Sequence, residues 1–91
     1  MSNNCVLSIL GKDRSGIVHA ASKVLAEANA NILDLTQTLL GDLFTMTIIF
    51  NIDNATQSFE EIQEGLKAVG EQMNLQVTVQ REDIFNFMYS L

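Results

Sequence analysis

Of the 91 residues in this chain, one is cysteine, one is histidine and none is proline. A lone cysteine, Cys5, excludes an internal disulfide, and its place in an apolar run reads as a buried, inert thiol that suits a reducing compartment. The lone histidine, His19, falls on the solvated face of a helix, with no cysteine or second histidine to complete a metal set or a nucleophile pair. Cations are scarce as well. Five Lys and Arg against eleven Asp and Glu leave a formal net charge of -6, which argues against nucleic acid and anionic membranes, since both demand clustered positive charge. No stretch approaches the roughly 18 apolar residues of a membrane span, and residues 1–4 lack the basic, apolar and cleavage regions of a signal peptide. A soluble cytoplasmic protein without a cofactor is expected.

What the chain does have is apolar patterning. With 47% hydrophobic side chains, it suffices for one compact domain and is too short for two. Residues 5–10 read as a buried strand. Ser15 offers an N-cap hydroxyl to a helix whose apolar face is Ile17, Ala21, Val24, Leu25 and Ala28, and Asn29 stops it by tolerating the left-handed conformation. Two strands, 32–40 and 43–52, flank the hairpin signal Gly41-Asp42. In the first, Leu33, Leu35 and Leu39 alternate among polar residues, as expected of an edge strand; in the second, Phe44, Met46, Ile48, Phe50 and Ile52 alternate cleanly. After a polar connection, 53–58, a second helix carries Phe59, Ile62, Leu66, Val69 and Met73, with Gly70 as a weak point. Leu75, Val77 and Val79 then alternate in a fourth strand. The charges Glu60, Glu61 and Glu64 on the outer face of helix two read as solvation alone.

Strand, helix, strand, strand, helix, strand is the split βαβ, ferredoxin-like α+β arrangement: a four-stranded antiparallel sheet of order 4-1-3-2 with both helices on one face. The core is expected over 5–80, with 81–91 as a tail in which Ile84, Phe85, Met88 and Leu91 recur at helical spacing over 83–91. Such a sheet leaves one face and one edge strand uncovered, which dimerisation relieves.

Chemistry concentrates between strand one and helix one, where Gly11, Lys12, Asp13, Arg14, Ser15 and Gly16 place two cations and a carboxylate in a glycine-flanked turn. Helix N–H groups point into that turn, so it suits an anion, above all a carboxylate. The same composition also fits a plain connection in which Asp13 caps the helix. The spacing Gly11 to Gly16 opens like a phosphate-binding P-loop, but Ile17 and Val18 stand where Lys and Ser/Thr are required. Phe44 and Phe50 lack the aromatic-glycine signature of an RNA-binding sheet. A metal chaperone needs a second cysteine, and an acyl-phosphate hydrolase needs an asparagine partner for Arg14. An enzyme is not expected, for want of a paired base and nucleophile.

GKDRSGIV after a first strand, an alanine-rich helix, Asn31-Ile32 opening strand two and the βαββαβ order together resemble the ACT domain, the small regulatory module that senses amino acids in metabolic enzymes. The resemblance covers about the whole chain. "TQTLLGDLFTM" and "DIFNFMYSL" are similar to small free-standing bacterial and archaeal ACT-domain proteins related to glycine-cleavage regulators. Two positions depart from many ACT domains: Ser15 replaces proline and Asn29 replaces glycine. The resemblance implies side-by-side homodimers joined at strand two, with ligand held between subunits. Strand two runs parallel to strand one, so Asn31 starts roughly 25 Å from the Gly11 corner at about 3.3 Å per residue. Antiparallel pairing of two copies of strand two carries the partner's asparagine to the corner's end. The implied ligand-binding residues are Gly11, Asp13, Arg14, Gly16, Ile17, Asn31 and Ile32. N–H groups of Gly16 and Ile17 serve a carboxylate, Asp13 an ammonium, and Asn31 of the other chain acts as an amide clamp. The implied function is non-catalytic: a small amino acid or related metabolite is bound and reported to a partner enzyme or regulator. The alternative is a ligand-free assembly module of the same fold.

Overall fold

The computed structural model describes residues 3–12 and 16–82. Six elements follow the expected order: β1 (Asn4–Gly11), α1 (Ile17–Glu27), β2 (Asn31–Leu40), β3 (Leu43–Asn51), α2 (Phe59–Met73) and β4 (Gln76–Arg81). The sheet order is β2-β3-β1-β4, with every neighbouring pair antiparallel. This is the ferredoxin-like arrangement read from the opposite edge. Expected and observed boundaries differ by a residue or two, as helix and strand ends commonly do.

Alternation along the strands builds the core. Cys5, Leu7 and Ile9 of β1 stand opposite Phe50, Ile48 and Met46 of β3, and Val79 of β4 stands opposite Leu7. All are buried on the helix-bearing face, where Ile17, Ala21 and Leu25 of α1, Ala28 just past its end, and Ile62 and Leu66 of α2 meet them. The cysteine is fully buried, and His19 is exposed.

Each helix ends on an asparagine in the left-handed region. Asn29 has φ 57° and Asn74 φ 58°, the backbone that glycine more often supplies. Past α1, the N–H of Asn29 donates to Ala26 O and that of Ala30 to Leu25 O; past α2, Asn74 and Leu75 donate to Glu71 O and Gly70 O. Both pairs satisfy carbonyls the helix leaves without partners.

Three local expectations are corrected. The N-cap of α1 is Gly16, not Ser15: its φ of 78° lies in the left-handed region, and it has no side chain to accept from the helix. In β2, a bulge between Ile32 and Asp34 inserts Leu33 as an extra residue that has no partner in the β2–β3 register. The residues opposite the buried face of β3 are therefore Ile32, Leu35, Gln37 and Leu39, while Leu33 is half exposed. Gly70 is no weak point. A Cβ there would lie 3.2 Å from both the Leu75 carbonyl oxygen and Val77 Cβ, so the missing side chain lets α2 sit directly on the start of β4. The helix expected over 83–91 lies outside the described residues.

Candidate functional site

Strand pairing fixes the placement of the site residues before any side chain is considered. Asn31 and Asn4 both stand opposite Asn51, at one end of the sheet; Gly11 and Leu39 both stand opposite Phe44, at the other. Gly11 and Asn31 of one copy are thus brought to opposite ends, as the strand directions require.

At the Gly11 end, both glycines have reasons within the fold. The position a Cβ would take on Gly11 is filled by Leu75 Cδ2, so any larger residue there would push the Leu75 side chain out of its place on the α2–β4 turn. Gly16 is required by its positive φ. Ile17 is fully buried, so only its backbone N–H is available to a ligand. Lys12 is exposed at the start of the turn. Asp13 and Arg14 lie outside the described residues. A cleft of about 380 Å³ opens at this end between the tip of β1 and the α2–β4 turn, lined by Leu10, Lys12, Leu43, Met73 and Gln76 among others.

The Asn31 end is different chemically. A second cleft, about 330 Å³, is lined by Asn29, Ala30, Asn31, Asn51, Asp53 and Asn54. Its walls are tied by hydrogen bonds. Asn29 Nδ2 donates to Asn54 O at 2.9 Å, Asn51 Nδ2 to Asn4 Oδ1 at 2.8 Å, and Asn3 Nδ2 to Asp53 Oδ1 at 2.6 Å. The Asp53 N–H donates to Asn51 Oδ1 at 2.8 Å. These bonds hold the amides of Asn29 and Asn51 in place, while Asn31 is exposed at the head of β2. Sequence reasoning singled out Asn31 and missed Asn51, Asp53 and Asn54. A usable signal exists: five amide or carboxylate residues, at 29, 31, 51, 53 and 54, flank the ends of two strands that must be neighbours.

β2, between these ends, is exposed along almost its whole length. Ile32 (39%), Leu33 (50%), Leu39 (51%) and Leu40 (67%) all present apolar surface, together with the free ladder groups of an edge strand. Among the described residues, no group of three or more His, Cys, Asp or Glu could hold a metal ion, and no helix is long and apolar enough to cross a membrane.

This geometry can be set beside known proteins. The model of the ACT domain matches residues 3–80, from the residue before β1 to the next-to-last residue of β4. The chain belongs to the ACT domain family. Among relatives of this ACT domain, a UPF0237 protein of Methanocaldococcus jannaschii is 48% identical over 86 residues, covering 94% of this chain and 96% of that protein. An ACT domain protein from Streptococcus pneumoniae, of known structure, is 33% identical with a TM-score of 0.79, covering 93% of this chain and 96% of its own. Both relatives are thus matched over nearly their whole length. The regulatory subunit of aspartate kinase from Thermus thermophilus shares the fold at 20% identity and a TM-score of 0.66, covering 88% of this chain and 52% of that one.

Proposed function

We propose that this ACT domain is a cytoplasmic homodimer that binds a small amino acid or related metabolite between its subunits and reports the bound state to a partner enzyme or regulator, without catalysing a reaction. The observation that carries this reading is the edge of β2. It is apolar, exposed and unpaired, and it separates two ends of complementary chemistry. Antiparallel pairing of β2 with a second copy places the asparagine-lined cleft of one subunit at the same end as the partner's Gly11–Gly16 turn. The helix N–H groups of that turn suit a carboxylate, Asp13 an ammonium, and Asn31 either group through its amide. The regulatory part played by the aspartate kinase subunit of the same fold is in keeping with sensing.

Calorimetric titration with a panel of amino acids, run beside sedimentation equilibrium, tests the proposal. Heat from a small amino acid, saturating at one ligand per composite site, is the expected result. A well-folded dimer that binds no member of the panel favours the rival, in which the same fold only assembles a partner.

A further inference from the structure

The face of the sheet turned away from the helices is built in rows. Strand pairing places Gln80, Val6, Ile49 and Asp34 side by side across it, then Thr78, Ser8, Thr47 and Thr36, then Gln76, Leu10, Thr45 and Thr38. Burial along this face runs steeply from one end to the other. Val6 is 4% exposed, whereas Leu10, on the same strand and the same face, is 37% exposed, and Leu43 and Leu40 beyond it are 40% and 67% exposed. Both helices pack on the opposite face. A valine in the row nearest the end of β4 is therefore shielded from water, while larger apolar residues at the other end are not.

The chain leaves the sheet beside that row. Val6 stands opposite Gln80 and Cys5 opposite Arg81, the last residue of β4. Arg81 is held on the helix side by its guanidinium, 4.8 Å from the Phe59 ring centroid, and Glu82 has already left strand geometry for helical backbone. The remainder of the sequence, 83–91, reads Asp-Ile-Phe-Asn-Phe-Met-Tyr-Ser-Leu, richer in apolar and aromatic residues than any exposed segment of a folded protein needs to be.

We propose that residues 83–91 pack across the open face of their own sheet and cover the Val6–Ile49 row. The reach is sufficient. Two strand spacings, roughly 10 Å, separate β4 from β3, and nine residues span about 14 Å even if fully helical. Only Glu82 separates Arg81 from the segment, so the chain enters it beside the edge of the row, and contact within one chain outcompetes exchange between copies. This surface is thereby occupied, and the Leu10, Leu40 and Leu43 end remains as the part of the face open to another molecule.

Nuclear Overhauser spectroscopy on the intact chain tests this directly. The methyl groups of Val6 and Ile49 are expected to show cross-peaks to the rings of Phe85, Phe87 or Tyr89. In a mixture of isotope-labelled and unlabelled chains, those peaks are expected to survive only the filter for contacts within one chain. Absence of the cross-peaks overturns the proposal, and so does their appearance only between chains, which marks a segment exchanged with a second copy. A chain ending at Glu82 is expected to bind an apolar-surface dye several-fold more strongly than the intact protein. Equal dye binding by a folded truncated chain overturns the proposal too, and if that chain fails to fold, the spectra of the intact protein decide.

Discussion

Gly70 lies in the last turns of α2, packed against Val77 at the start of β4. In a helix interior glycine is about 1 kcal/mol worse than alanine, so Gly70→Ala ought to stabilise α2. The Cβ it introduces, however, meets Val77 and the Leu75 carbonyl at 3.2 Å or closer, and β4 must shift to admit it. Overpacking of this kind costs about 1–3 kcal/mol, which matches or exceeds the propensity gain. Gly70→Ala is therefore expected to lower stability by up to roughly 2 kcal/mol in urea unfolding, while the neighbouring exposed Glu71→Ala changes little. Asn31 is the converse case, a residue whose removal leaves the fold alone. It is exposed at the head of β2, so Asn31→Ala is expected to leave the unfolding midpoint unchanged and to weaken amino-acid binding by roughly tenfold, the value of one hydrogen bond to a charged group. Equal binding by the variant in calorimetry removes Asn31 from the site.

Element by element, the local chemistry was readable wherever it was local. The type of each element came from periodicity, because Phe44, Met46, Ile48 and Phe50 keep period two and Ile62 and Leu66 keep a helical spacing. The hairpin came from Gly41, which carries a φ of 61° between Leu40 and Leu43. One local signal was overlooked: Ser58 accepts from the Glu61 N–H at 3.1 Å and the Glu61 carboxylate accepts from the Ser58 N–H at 2.9 Å. This is the reciprocal cap that Ser-x-x-Glu ahead of an apolar stripe announces, so Glu61 does more than solvate. Ser58→Ala is expected to cost about 1 kcal/mol, read by thermal unfolding. What sequence could not disclose was set by distant contacts. The bulge at Leu33 leaves an ordinary-looking alternation and appears only in the pairing with β3. The glycine at position 11 answers to Leu75, and the asparagine cleft joins two segments, 29–31 and 51–54, that strand pairing brings together.

β2 carries the prediction that belongs to an element. Its leucines at 33 and 40 are already exposed, so replacing both with lysine removes little from the monomer. In a dimer paired along β2, four such leucines become covered, at about 1 kcal/mol for each one half buried. Leu33→Lys combined with Leu40→Lys is thus expected to weaken the dimer by roughly 4 kcal/mol, near a thousandfold in dissociation constant, in sedimentation equilibrium. An unchanged dimer locates the interface elsewhere.

At the scale of the whole molecule, the proposed site is completed only by association, so ligand, dimer and fold are linked. A ligand that binds only the folded dimer stabilises it by about 2.7 kcal/mol at a hundred times its dissociation constant. For a domain of this size each kcal/mol raises the melting temperature by roughly 4–8 °C. A cognate amino acid at that excess is therefore expected to raise the melting temperature by roughly 10–20 °C, and dilution of the protein without ligand is expected to lower it. The two effects must also act on each other, since a ligand held between subunits tightens the dimer by the same factor that dimerisation tightens the ligand. Thermal scans over a grid of protein and ligand concentrations separate this arrangement from its simplest competitor. If the ligand shift stays the same when Leu33→Lys and Leu40→Lys have made the chain monomeric, the pocket lies within one subunit and Asn31 of the partner has no part in it. If the shift disappears with the dimer while the monomer remains folded, the site is shared between the two chains.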